Sequence, residues 1–288
     1  MNKFEESFNK FRSPGTIQET QNLVNKILKD STIEKDSDTL QKIYSCIDAT
    51  MLNPATTKKN ITKFVNDLEM FHTAHPSYPN VAAICSYSSQ VGSIKAVLQD
   101  ENVKVCSVIG FPTSQTFIEI KIAEASMAIM QGANEIDTVI NLGHFFEHSY
   151  EELTDELTEI KDCCRDATLK VIIETGAFKT SEEILKAAIL AAFSGADFIK
   201  TSTGKEFIGA TPEAVYIICK VIQQYEELFD KKIGIKISGG ISTSDDALIY
   251  YKIVEEILGN EWLTPQLFRI GSSKLPGNIQ KELTKLIK

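Results

Sequence analysis

Short apolar runs alternate with longer helix-patterned segments over most of this chain, and that alternation constrains the fold more than any other feature. From residue 43 the runs read IYSCID, VAAIC, VKVCSVI, EIDTVI, LKVIIE, DFIK, IGIKI and LFRIG, eight strand candidates. Between them lie FIEIKIAEASMAIMQ, YEELTDELTEIKDCC, SEEILKAAILAAF and TPEAVYIICKVIQQYEELF, several opened by Ser, Thr or Pro at capping positions. Strands separated by helices imply a parallel sheet. Runs buried on both faces fit an open doubly wound sheet as well as a closed barrel, so periodicity does not choose between them. Eight units without a convincing linker favour an α/β architecture of the (β/α)8 TIM-barrel type.

Ahead of this region, Thr16-Ile17-Gln18-Glu19 forms a capping-box pattern before QNLVNKILKD, which predicts an extra N-terminal helix. The expected division is a helical extension over 1–40 and a barrel domain over 41–288. A chain of 288 residues with 43% hydrophobic content can bury a full core. MNKFEESFNK lacks an apolar signal core and AAILAAF is far below membrane length, so the expectation is a soluble cytoplasmic protein with no membrane partner. Six cysteines without a CxxC pair fit free thiols in a reducing compartment. A net charge of −9 argues against a general nucleic-acid binder but leaves room for a local phosphate pocket.

In GADFIKTSTGKE an apolar run ends in Lys200 and passes directly into Thr201-Ser202-Thr203-Gly204. Burying an ammonium costs several kcal/mol unless it is paired, so this placement suggests an amine perturbed for imine formation, although strand-end lysines usually just carry their charge out to water. KKIGIKISGGIST repeats the arrangement, with Lys236 before Gly239-Gly240. Two lysines at comparable strand ends of one barrel would share a mouth, and each cation would disfavour protonation of the other. The effect matters because an ordinary lysine, with a pKa of ~10.4, is almost wholly protonated at neutral pH.

Barrel chemistry collects at the C-terminal strand ends. Asp137 in EIDTVI and Asp48 in CIDATMLNP place carboxylates there, either as salt-bridge partners or, for Asp137, as a proton shuttle beside an ammonium. Gly204-Lys205, Gly239-Gly240 and Gly271-Ser272-Ser273 follow the last three strand candidates, where a phosphate site is expected from backbone N–H groups, hydroxyls and Lys205. Cys85 ends the second run and could touch substrate, although a small strand cysteine usually packs. His144 and His148 have i,i+4 spacing, but Gly143 precedes them and no HExxH or third ligand accompanies them, so no metal is expected.

Taken together, IDATMLNPAT, NVAAICSYSSQV, VIGFPTSQTFIEIKIAEA, GANEIDTVINLG, LKVIIETG, GADFIKTSTGKE, GIKISGGI and LFRIGSS resemble the deoxyribose-phosphate aldolase family, in the family's order, over residues 43 to about 275. The resemblance implies a class I aldolase on a TIM barrel that interconverts 2-deoxy-D-ribose 5-phosphate with D-glyceraldehyde 3-phosphate and acetaldehyde, in deoxyribose phosphate catabolism, without cofactor. It gives Lys200 the role of Schiff-base lysine, Lys236 that of the lysine lowering its pKa, and Asp137 that of proton relay. It also leads to substrate contacts from Thr203, Gly204, Lys205, Gly239, Gly240, Gly271, Ser272, Ser273, Asp48 and Cys85, with Asp48 positioning Lys236.

Three departures accompany it. Ser242 stands where the family commonly has Arg, Tyr87-Ser88-Ser89 replaces Tyr-Pro-Arg, and ELTKLIK carries no C-terminal tyrosine. Rival readings are another Schiff-base barrel enzyme with a ketone donor, and a barrel that only binds a phosphorylated ligand or a protein. A homodimer is the default assembly.

Overall fold

In the computed structural model, which describes residues 3–286, eight parallel strands close into a barrel in sequence order, β1 next to β8. Three helices come first: α1 (Lys3–Phe8), α2 (Ile17–Asp30) and α3 (Ser37–Ser45). The first half then runs β1 (Ile47–Met51), α4 (Lys58–Ala74), β2 (Ala83–Tyr87), α5 (Val91–Lys95), β3 (Lys104–Ile109), α6 (Ile118–Met130), β4 (Glu135–Val139), α7 (Leu142–Phe146) and α8 (Tyr150–Cys164). The second half runs β5 (Thr168–Ile172), α9 (Ser181–Phe193), β6 (Phe198–Lys200), α10 (Pro212–Phe229), β7 (Gly234–Ser238), α11 (Ser244–Leu258), β8 (Phe268–Ser272) and α12 (Leu275–Leu286). None of these helices is long and apolar enough to cross a membrane.

Side chains dictate the helix starts. Thr16, Thr57, Thr180 and Thr243 each accept a third-residue N–H, and Glu19, Asn60, Glu183 and Asp246 return the bond, so donors left over at the helix entry are satisfied locally. α9 coincides with SEEILKAAILAAF, and α8 with YEELTDELTEIKDCC. The first strand candidate is corrected: residues 43–45 of IYSCID finish α3, where Ile43 and Tyr44 are fully buried, and the strand begins at Ile47. A short apolar run at a helix-to-strand junction carries no period to separate the two.

The position expected as a boundary, residue 40, falls inside α3. Phe8, Phe11 and Val24 bury in the same continuous core as the barrel's outer face, and α2 packs on α10 and α11. That core lies between strands and helices. The barrel interior is different: a small apolar cluster of Leu52, Ala83, Cys85, Cys106 and Val108 fills the β2–β3 side, and charged side chains fill the rest. Branched apolar residues are the usual filling.

Phe198 marks the lower boundary of the charged region, its ring 5.5 Å from the Arg269 guanidinium carbon and 6.0 Å from the Lys170 ammonium. Gly234 is the register partner of Phe198, and a Cβ added to it would come within 2.4 Å of the ring. The ring is buried with both cations close by, which leaves it little room to yield. Gly234→Ala is expected to destabilise the protein by about 1–3 kcal/mol through overpacking. Urea unfolding measures it, and combining Gly234→Ala with Phe198→Leu should recover part of the loss.

Candidate active site

Strand register brings the charges together. Lys200 on β6 pairs with Lys236 on β7, Lys236 with Arg269 on β8, and Asp137 on β4 with Lys170 on β5. Alternation along each strand then turns these side chains to the barrel axis. The Oδ2 atom of Asp137 lies 2.7 Å from the Lys200 ammonium and 2.7 Å from that of Lys236. Its Oδ1 accepts from Lys170 at 3.1 Å and from the Cys106 thiol at 3.0 Å. Asp48 pairs with Lys236 at 2.5 Å and with Arg269 at 2.6 Å, while Glu135 pairs with Lys170 at 2.5 Å and Arg269 at 2.8 Å.

Four cations, Lys170, Lys200, Lys236 and Arg269, therefore face three carboxylates, Asp48, Glu135 and Asp137, at exposures of 5% or less. Burial alone would neutralise such groups, and mutual attraction in a poorly polarisable interior opposes it. For Asp137, burial works upward, but Lys170, Lys200 and Lys236 hold the carboxyl well below the usual range. Burial pushes Lys236 down, and Asp137 with Asp48 overcomes this and holds the ammonium above its ordinary value. Lys170 is held up in the same way, chiefly by Asp137 against burial. The expectation of two lysines simply repelling each other thus gains a third member: Asp137 lies between them as a shared counterion.

Above this cluster opens a cavity of about 680 Å³ with Lys200 on its wall. Thr203-Gly204-Lys205, Ser238-Gly239-Gly240-Ile241-Ser242 and Gly271-Ser272-Ser273-Lys274 form one side, and residues 50–54 with Phe64 the other. The three glycine turns expected from sequence converge here. Gly239 has φ +93°, and its carbonyl would lie 2.3 Å from a Cβ on Gly209, so the turns meet backbone to backbone. Gly271 plays a different part, its missing side chain leaving room for the Lys236 stem, 3.3 Å from where a Cβ would stand.

Asp48 and Cys85 do not line the cavity; both are fully buried below it. The Cys85 thiol is shifted below its ordinary value by its hydrogen bond with Cys106, assisted by Lys236 and Lys200 against burial. Ser272 does line it, but its hydroxyl donates to the Ile241 carbonyl and accepts the N–H groups of Lys274 and Leu275, which leaves it occupied. His144 and His148 share no helix face, because α7 ends at Phe146 and His148 bonds Tyr150 through Nδ1.

Sequence reading passed over Lys170, Glu135 and Arg269, although Lys170 and Arg269 interrupt apolar runs as Asp137 does and Glu135 opens one. It also passed over Glu174, a buried left-handed residue (φ +56°) whose carboxylate accepts the Thr203 N–H and so holds the turn after β6.

Burial of this cluster links stability to pH. The Asp48 carboxyl is held below its ordinary value by Lys236, Arg269 and Lys170 against burial. A carboxylate lower in the folded than the unfolded chain contributes stability that is present above about pH 3.9 and lost as pH falls through the folded value. Asp48→Asn takes one of two carboxylate partners from each of Lys236 and Arg269, which keep Asp137 and Glu135, and is expected to cost about 3–5 kcal/mol at pH 7. Urea midpoints of the two proteins should begin to approach each other as pH falls below about 3.9 and should meet only below the folded value.

With this geometry the chain can be set beside known proteins. Residues 42–255 match the family described as DeoC/LacD family aldolase. The human deoxyribose-phosphate aldolase is 36% identical over 255 residues, covering 85% of this chain and 80% of its own. The Agrobacterium fabrum deoxyribose-phosphate aldolase is 37% identical over 202 residues, covering 69% of this chain and 76% of its own. A solved structure titled QR15, an aldolase, aligns with TM-score 0.69 at 33% identity, covering 85% of this chain and 98% of that one. A lysine-lined barrel mouth, a family match across most of the barrel and relatives at this identity and coverage lead to one assignment: the chain belongs to the DeoC/LacD aldolase family.

Proposed function

We propose that the protein cleaves 2-deoxy-D-ribose 5-phosphate, reversibly, to D-glyceraldehyde 3-phosphate and acetaldehyde through an imine on Lys200. Its family makes it an aldolase, a carbon–carbon lyase. The observation that carries the assignment of roles is the single Asp137 oxygen 2.7 Å from both Lys200 and Lys236, directly beneath the cavity.

Charge balance supports Lys200 as the nucleophile. With four cations against three carboxylates, one proton lost from an ammonium makes the cluster neutral. Lys236 and Lys170 are fully enclosed and held charged, whereas Lys200 reaches the cavity wall. In this reading the free Lys200 amine attacks C1 of the open-chain sugar, and water leaves the carbinolamine. The protonated imine accepts the electron pair as the C2–C3 bond breaks and the C3 hydroxyl loses its proton. Glyceraldehyde 3-phosphate departs, the enamine takes a proton at C2, and hydrolysis releases acetaldehyde. Asp137 carries the protons, with Lys236 holding its carboxylate in place and Asp48 holding Lys236.

Thr203, Gly204, Lys205, Gly239, Gly240, Gly271 and Ser273 are the groups we assign to the substrate side, with 41–288 as the catalytic unit and 1–40 as a packed extension. We place the enzyme in the cytoplasm, on the grounds of its six free cysteines, which fit a reducing compartment. A homodimer follows the general preference for two-fold closure, and Ile120, Met127 and Met130 leave exposed apolar surface on α6 for a second copy. Sedimentation velocity should give twice the chain mass.

Incubation with acetaldehyde and borohydride should add one ethyl group at Lys200, mapped by peptide mass spectrometry, and deoxyribose 5-phosphate should protect the site. An unmodified Lys200 in folded protein would overturn the imine. Asp137→Asn should lower kcat about 10²- to 10⁴-fold while inorganic phosphate still binds.

A further inference from the structure

Cys106 lies fully buried in the barrel interior, beside the catalytic carboxylate but outside the sequence of proton transfers. It stands on β3, opposite Cys85 of β2 in one ladder and Glu135 of β4 in the other. A small buried cysteine on a strand usually only fills space. This one is bonded on two sides. Its thiol donates to Asp137 Oδ1 at 3.0 Å and accepts from the Lys170 ammonium at 3.4 Å, and Lys170 itself reaches Oδ1 at 3.1 Å. Burial, with Cys85 and Asp137 adding to it, pushes the Cys106 thiol well above its ordinary value, so it keeps its proton and serves as a donor.

These donors divide the Asp137 carboxylate in two. Oδ1 is held from the strands that flank β4, by Cys106 of β3 and Lys170 of β5, whereas Oδ2 is held by Lys200 of β6 and Lys236 of β7. A carboxylate free to turn about its Cβ–Cγ bond would exchange the two oxygens. The grip on Oδ1 from both neighbouring strands opposes that rotation. When the Lys200 ammonium gives up its proton, Oδ2 loses a donor while Oδ1 keeps both of its own, so the transferred proton rests on Oδ2, on the Lys200 side.

We propose that Cys106 is a positioning residue for the aldol reaction: by donating to Oδ1 it fixes the Asp137 carboxylate with Oδ2 toward Lys200, and so keeps the proton relay on the side of the reacting amine. This rests on the aldolase reading above. Lys170 supplies the charge at Oδ1, and Cys106 supplies a second, uncharged donor from the opposite strand, so the carboxylate is restrained without a further cation.

The test compares wild type with Cys106→Ser, which keeps a donor, and Cys106→Val, which fills the space without one, each alone and combined with Asp137→Asn. In cleavage of 2-deoxyribose 5-phosphate, Cys106→Val should lower kcat roughly three- to thirtyfold with KM retained, the effect of one lost hydrogen bond to a charged group. Cys106→Ser should recover most of the loss. In the Asp137→Asn background Cys106→Val should cost nothing further, because the thiol acts only through that carboxylate. A kcat for Cys106→Val within about twofold of wild type, an equal fall in Cys106→Ser, or a full additional loss on top of Asp137→Asn overturns the proposal. The infrared S–H stretch of Cys106, identified by its disappearance in Cys106→Ser, reads the bond without turnover and should move to higher wavenumber in Asp137→Asn. If wild type neither cleaves the sugar nor forms an imine with acetaldehyde, the reaction is wrong, and a shifted band still supports the hold on Asp137. An unmoved band sinks it.

Discussion

One carboxylate oxygen shared by two ammoniums organises this molecule. Asp137 Oδ2 binds Lys200 and Lys236 equally closely, and its partner oxygen reaches Lys170 and the Cys106 thiol. Seven ionic groups are then interlocked at exposures of 5% or less, where charge is costly unless paired. Most members pair with two or more others, so the loss of one weakens several pairs at once. Of the seven, Lys200 is the one that lines the cavity.

A barrel filled with ions obtains little apolar burial from its interior. The compensation lies outside, in the continuous core between strands and helices, which the N-terminal segment extends through Phe8, Phe11 and Val24. Apolar burial there is worth roughly 25 cal/mol per Å² removed from water, enough to offset a polar interior only because the shell is large. Leu52, Ala83, Cys85, Cys106 and Val108 form a dry wall along the remaining interior side. That wall lowers the local dielectric response and strengthens the pairs beside it.

Much of this was written plainly in the chain. SEEILKAAILAAF carries a capping box and a helical period, and it folds as α9 without a residue's shift. IYSCID carries neither signal, and its first half belongs to α3. Lys200, Lys236 and Asp137 were visible as charges inside apolar runs. Lys170 and Arg269 satisfy the same criterion and Glu135 opens such a run, but their meaning depends on closure: Arg269 meets Asp48 across 221 positions of sequence. Depth was hidden as well, since a strand-end residue such as Asp48 or Cys85 looks the same in sequence whether it lines a cavity or lies beneath it. Hydrogen-bond saturation, as at Ser272, depends on neighbours that no local pattern names.

Lys200 and Lys236 are direct partners in the β6–β7 ladder. Their spacing is thus a property of backbone pairing, and a slip of one residue would turn either side chain out of the barrel. The turns that follow those strands obey no such rule, for their lengths and side chains can change while the ladder stays in step. The position of the two lysines is therefore locked into the weave of the sheet, whereas the residues along its rim are held only by the turns that carry them.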